Sequence, residues 1–275
     1  MIQKKWAVLL ASTILLAGCG NAVSEEAVQQ EETAPAEAPE PAKEEVPVPE
    51  EAPEEPEPPV EQAEPAYRLN PANWGVEPIG EAPAQAVLLT IDDAPAEHSV
   101  GMAETLKAAD VPAIFFVNGH FLDTEEEKAN LKKIHEMGFA IGNHTYSHTN
   151  LKTIDDAQQR EEIISLSAAV EEIIGEKPVF FRAPNGTNTD FSKGLVEAEG
   201  MLLMNWSYGY DWEKQYSEAG ALADIMVNTE FLRNGANLLM HDRAWTAKAL
   251  PAIIEGLKNK GYGFIDPADI ERAGK

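Results

Sequence analysis

Two adjacent carboxylates, Asp92 and Asp93, close an apolar run that begins at Ala86, and two histidines, His144 and His148, stand four residues apart in GNHTYSH. Imidazoles at i and i+4 share one face if the segment is a helical turn. Two imidazoles and one carboxylate then form a three-ligand set with positions left open for water, as expected of a catalytic zinc or similar divalent ion. Arg182, Asp211 and the pair His241-Asp242 each follow or end a further strand-like run. The aspartates alone would equally suit an Asx turn that caps a helix, and histidine pairs at this spacing are common on surfaces. Against that reading, all of these residues fall at the same end of their strands, where burying charge is costly unless a metal, a cation or hydrogen bonds compensate it.

The elements that must position them alternate along the chain. Short branched runs predict strands at Ala86–Ile91, Ala113–Val117, Phe139–Asn143, Val179–Arg182, Met201–Trp206, Asn237–Met240 and Tyr262–Ile265. Helical patterns lie between most of them, at Glu97–Ala109, Thr124–Met137, Ile154–Ile174, Asp190–Glu199, Ser217–Leu232 and Thr246–Lys260. Thr124 with Glu127 reads as a capping box, and Gly138 as a helix stop. Strands separated by helices point to a parallel α/β sheet. An open sheet gathers its site at one switch point, whereas a barrel draws residues from several strand ends, so the scatter of candidates over many ends favours the barrel.

The first 66 residues are of another kind. Lys4-Lys5, an apolar stretch from Trp6 to Ala17 and small residues after it read as a secretory signal peptide, residues 1–18. Leu16-Ala17-Gly18-Cys19 resembles the bacterial lipobox, which implies that Cys19 is lipidated and becomes the first residue of the mature protein. As the only cysteine, it leaves no intrachain disulfide or cysteine metal site. From Gly20 to Ala66 the chain is nearly all Glu, Pro, Ala and Val, with 15 acids against one lysine. Such a composition cannot bury enough apolar surface to order itself, so residues 19–66 are expected to be a disordered, self-repelling tether. At ~3.1 Å per residue it would reach on the order of 100 Å from its anchor. The remaining 67–275, a length that suits one domain, carries 32 acids and 18 basic residues. An acidic surface argues against nucleic acid and against docking on anionic lipid.

Taken in order, TIDDAP, HTYSH, RAPNG, YDW and LLMHD, spread from Thr90 to Asp242, resemble the five motifs of the polysaccharide deacetylase family, the NodB-homology domain or carbohydrate esterase family 4. The resemblance implies a distorted (β/α) barrel of seven or eight parallel strands. It also implies metal-dependent removal of an acetyl group from an N- or O-acetylated sugar. Residue by residue, Asp92 resembles the general base, and Asp93 the carboxylate ligand beside His144 and His148. Arg182 resembles the residue that orients the base, with Asp211 holding the arginine in turn. His241 resembles the general acid that protonates the leaving amine. The backbone N–H of Asn185 would meet the oxyanion, and Trp212 with Leu239 would wall the acetyl methyl pocket. Tyr208, Tyr210 and Trp245 are candidates for a sugar-stacking platform, and Asp242 for a capping residue.

Three positions depart from the family pattern. Ala94 stands where a glycine is usual, Asn185 where a tyrosine is usual, and Tyr208 where a carboxylate often supports the arginine. None removes a ligand, the base or the acid. The expectation is therefore a monomeric, lipid-anchored, extracytoplasmic bacterial deacetylase that uses one divalent metal, with zinc first and cobalt, nickel or manganese also suited to the set. Its partners would be an acetylated envelope polymer such as peptidoglycan or an N-acetylglucosamine polymer, and the membrane through the lipid alone. An O-acetyl esterase of the xylan type and a catalytically silent glycan-binding lipoprotein are the alternatives.

Overall fold

The computed structural model describes residues 64–272. The leader, Cys19 and the acidic segment up to residue 63 lie outside the described residues. The described chain opens with an antiparallel hairpin that the sequence did not announce, β1 (Tyr67–Leu69) and β2 (Val76–Pro78). At three residues each, its strands are too short to show an apolar alternation.

Next comes β3 (Ala86–Ala94), the strand on which the rest is hung. It is followed by α1 (Ser99–Ala108), β4 (Ile114–Val117), α2 (Glu125–Glu136), β5 (Ala140–Asn143) and α3 (Asp156–Ile174). Then come β6 (Phe180–Phe181), α4 (Asp190–Ala198), β7 (Leu202–Leu203), α5 (Ala219–Asn228), β8 (Asn237–His241), α6 (Ala244–Asn259) and β9 (Gly263–Phe264). The sheet runs in the order β7-β6-β5-β4-β3-β8, with β9 paired to the start of β3, and all seven strands are parallel. A single bridge from Tyr208 to Leu238 brings the chain after β7 beside β8, so the sheet curls back on itself as a half-barrel. This is the distorted (β/α) barrel expected, with helices packed outside it. Among the described residues no helix is long and apolar enough to cross a membrane.

Strand alternation sets what the barrel holds. In β3, Val87, Leu89 and Ile91 pack outward among the helices, while Ala86 and Leu88 join Ile114, Phe116 and Phe180 in a separate inner core. The inward positions of β3 then run Ala86, Leu88, Thr90, Asp92, from apolar at the start to ionisable at the end. In β8, Leu238 and Met240 face the helices, which leaves Asn237, Leu239 and His241 on the inner side. Asp92 and His241 are register partners. One rim of the barrel is thus polar because two inward-facing rows both end in titratable residues.

The helices follow their termini. Thr124 and Glu127 form the reciprocal capping box, and Gly138 stops the chain with φ +94°. Helix α5 is shorter than its pattern suggested: Thr229 turns to an extended conformation, and its hydroxyl is engaged by that of Tyr210.

Candidate active site

Asp93 owes its aim to an irregularity at the end of β3. Pairing with β4 shifts register between Ile91 and Ala94, and Asp93 takes a left-handed φ of 63°. Neighbouring side chains on a regular strand face opposite ways; the bulge brings both carboxylates to the same rim. The left-handed residue is therefore the aspartate, and Ala94, fully buried at a negative φ, fits where the family's glycine is usual.

His144 and His148 meet by a route other than the helical turn. The segment after β5 is a loop in which Thr145 (φ 68°) and His148 (φ 58°) are both left-handed, and it brings the two rings to 5.0 Å between centroids. Side chains from three directions hold it in place. The buried Asn118 donates its amide to the carbonyls of His144 (2.7 Å) and Thr145 (3.2 Å), while its own N–H reaches the Ala94 carbonyl. Asn143 accepts from the Thr145 N–H, and Glu162 accepts from the Ser147 N–H. His144 Nδ1 donates to the Arg182 carbonyl at 2.7 Å, which leaves Nε2 unprotonated and turned toward Asp93. Burial holds the His144 pKa below the ordinary histidine value in spite of the nearby aspartates, so the ring stays neutral.

Asp93, His144 and His148 each offer one ligand atom, all within 4.8 Å of one another. Asp93 Oδ1 lies 3.6 Å from His148 Nε2 and 3.9 Å from His144 Nε2. A neutral imidazole with its second nitrogen already committed, a second imidazole and a carboxylate fit a divalent ion.

Asp92 is buried beside this trio. Its Oδ1 accepts from Arg182 Nη1 at 2.6 Å, and Oδ2 lies 3.5 Å from His144 Nε2. Arg182 is completely buried and lies over the Phe116 ring at 4.2 Å; it also donates to Thr90 Oγ1 and the Asn205 carbonyl. The expectation that Asp211 holds the arginine is corrected here. Asp211 turns to His241, accepting from its Nδ1 (2.7 Å) and backbone N–H (2.7 Å) and from Thr246 Oγ1 (2.8 Å). The chain after β7 crosses to β8 at the Tyr208 bridge, which delivers Asp211 to that strand's end. Burial opposes the charged form of His241. The Asp211 hydrogen bond and charge, reinforced by Asp92 and Asp93, outweigh it and raise the pKa above the ordinary value.

An open cleft of about 360 Å³ joins these groups, and Asn185, Trp206, Trp212, Leu239 and Arg243 complete its lining. Asn185 sits in a 3-10 turn with a left-handed φ of 53°, a conformation asparagine tolerates better than most residues. Trp212 is 42 % exposed and meets the His241 ring edge-on, and Trp206 stands behind it. The stacking platform differs from that expected. The hydroxyl of buried Tyr208 donates to the Met226 carbonyl, Tyr210 is tied to Thr229, and Trp245 Nε1 donates to the Asp211 carbonyl. Asp242 caps α1 from across the rim, accepting from the His98 and Ser99 backbone N–H groups. Trp206, Arg243 and Asn118 were not anticipated; Trp206 ends a predicted strand at this rim, which was a usable signal.

The polysaccharide deacetylase profile matches residues 79–203. The chitin deacetylase of Colletotrichum lindemuthianum is 30% identical over 189 residues, 65% of this chain and 76% of that enzyme. This chain belongs to the polysaccharide deacetylase family. A peptidoglycan-N-acetylglucosamine deacetylase of Bacillus cereus is 30% identical over 188 residues, covering 65% of this chain and 66% of that protein. Other relatives are longer, the match spanning 51% of one and 30% of another. Among solved structures, a family 4 carbohydrate esterase from Streptomyces lividans in complex with acetate superposes with a TM-score of 0.61 at 25% identity, covering 69% of this chain and 96% of that one. A family pseudoenzyme from Bacillus anthracis superposes equally well, with a TM-score of 0.61 at 28% identity and 67% and 64% coverage. Membership in the family therefore leaves open whether a given member turns over, and the site residues must carry that argument.

Proposed function

We propose that this chain is a hydrolase that removes the acetyl group from an N-acetylated cell-envelope glycan, with peptidoglycan or a related N-acetylglucosamine polymer as substrate. The observation that carries this is the arrangement of two buried charge pairs, Asp92–Arg182 and His241–Asp211, on register-paired strand ends beside the Asp93, His144 and His148 donors. A divalent ion held by that trio, zinc foremost, would supply Lewis acidity, acidifying water and polarising the acetyl carbonyl.

The chain's own groups supply the proton handling. Asp92 has one oxygen committed to Arg182 and the other facing the donor trio, so it can take a proton from the attacking water at that second oxygen. Arg182 fixes the direction of this carboxylate. His241, protonated by virtue of Asp211, hands its Nε2 proton to the departing amine. The Asn185 N–H is the oxyanion donor, and Trp212 and Leu239 exclude water from the acetyl methyl. The exposed amine would become cationic near neutral pH.

The lipobox-like sequence and the acidic segment support a further element of the proposal, an extracytoplasmic enzyme anchored to a bacterial membrane through Cys19. Incorporation of labelled palmitate that is lost in Cys19→Ala tests the anchor.

A silent glycan binder is favoured by two observations: Asn185 in place of tyrosine, and an Arg182 whose one carboxylate partner among the described residues is Asp92. Acetate release by the zinc-loaded chain from N-acetylglucosamine oligomers, peptidoglycan and O-acetylated xylan decides among the readings. Release from the N-acetyl substrates, abolished by chelator and in Asp92→Asn, is the expected result. Release only from O-acetyl substrates favours the esterase, and none from a folded, metal-loaded chain moves the binder ahead, with glycan affinity as the next measurement.

A further inference from the structure

Most of the charged side chains in the cleft have a fixed partner. Asp92 is met by Arg182 and Asp211 by His241, while Asp93 faces His144 and His148, with which it would hold a divalent ion. Arg243 is left over. It is one of the residues that line the cleft, and its guanidinium has no carboxylate partner among the described residues. The adjacent Asp242 does not neutralise it, because both carboxylate oxygens are turned away to cap α1.

Arg243 is also held in place. It directly precedes α6, where the helix N-terminus adds positive potential. Its guanidinium lies over the Trp245 ring at 5.4 Å, and that indole is anchored by its Nε1 donating to the Asp211 carbonyl at 2.9 Å. The cation therefore rests on a platform tied to the same residue that orients His241. Residues 67–275 carry an excess of acid, which repels anionic polymers at long range. An unneutralised, pre-positioned arginine inside the cleft offers short-range, bidentate recognition of the group arginine matches best, a carboxylate.

Resting on the deacetylase reading, we propose that Arg243 makes the cleft selective for a glycan that bears a carboxylate on, or next to, the sugar that loses its acetyl group. A neutral N-acetylated polymer leaves this arginine without a partner in the complex, whereas an acid-substituted one gives it a carboxylate to pair with.

The test uses the whole zinc-loaded chain and two N-acetylated oligosaccharides that differ only in one carboxylate, free in the first and converted to its methylamide in the second. The quantity read is the ratio of kcat/KM for acetate release between them. The expected ratio in the native chain is about tenfold or more in favour of the acid, carried by KM, and reduced by added NaCl. In Arg243→Gln the ratio falls toward one, and in Arg243→Lys part of it survives. A native ratio near one, or a ratio that Arg243→Gln leaves unchanged, overturns the proposal. If neither oligosaccharide releases acetate, the deacetylase reading has failed, and calorimetric binding of the same two compounds to the native and Gln chains decides on Arg243 separately. Tighter binding of the acid that Arg243→Gln abolishes supports the assignment, and equal binding refutes it.

Discussion

Replacing Asp211 with asparagine is the sharpest probe of the proton donor, because it keeps the shape and removes the charge. In the folded chain Asp211 is 1% exposed and accepts from the His241 ring, the His241 backbone and Thr246. An amide oxygen can keep two of these contacts, and the Thr246 hydroxyl can reorient, so the backbone should hold. What is lost is the charge-assisted bond to the ring, worth about 1.5–3 kcal/mol in favour of the imidazolium. Burial still opposes the charged ring, so the His241 pKa should fall in the variant, with Asp92 and Asp93 left as the groups that raise it. The sign follows. Because the folded pKa is raised, the stability gained from the pair is fully present below the unfolded value and is lost as pH rises through the raised one. Activity that needs the protonated ring is lost over the same alkaline limb. In Asp211→Asn the alkaline limb of kcat/KM should move to lower pH. The His241 ring resonances in a ¹⁵N-edited NMR titration should move with it. A limb and a ring titration that both stay in place would refute His241 as the acid that Asp211 tunes.

Two other perturbations address how the site is held. Arg182→Met strands Asp92 as a buried carboxylate without its counter-charge and should cost about 3–5 kcal/mol in denaturant unfolding; adding Asp92→Asn should restore part of it, and strict additivity of the two would show that the pair is not coupled. Asn118→Ala removes the amide that ties the histidine loop to the residue after β4, and should cost about 1–3 kcal/mol of stability while weakening zinc binding measured by calorimetry. Native zinc affinity in that variant would mean that the loop finds its left-handed conformations without help.

The polar rim has a simple origin in strand pairing. Because β3 and β8 are in register with Asp92 opposite His241, the proposed base and acid are placed on neighbouring strands without a loop having to deliver either. The metal donors by contrast depend on irregular backbone, with left-handed residues at Asp93, Thr145 and His148. Rigid pairing sets the proton-handling residues, and a braced loop sets the ligands. Strain is kept where Asn118, Asn143 and Glu162 brace it.

The sequence by itself determined the order of elements from β3 onward, the barrel and the side of the barrel on which chemistry gathers. These follow from local rules: branched runs that end in charge, caps such as Thr124 with Glu127, and the two-residue period of a strand. It also brought Asp92, Asp93, His144, His148, Arg182, Asp211 and His241 to one rim. Which of them touch was decided by the tertiary structure alone. Asp211 belongs to His241 instead of Arg182 because the chain after β7 crosses to β8, a pairing between segments about 30 residues apart that no local pattern encodes. The histidines meet through a left-handed loop instead of a helical turn because distant amides fix its carbonyls. Tyr208 and Tyr210 are taken out of the cleft by hydrogen bonds to α5 and the residue that follows it, and Trp206 and Arg243 take part in its lining instead. Composition and spacing report which groups are available; the choice of partner rests on long-range closure, which depends on how the whole sheet curls.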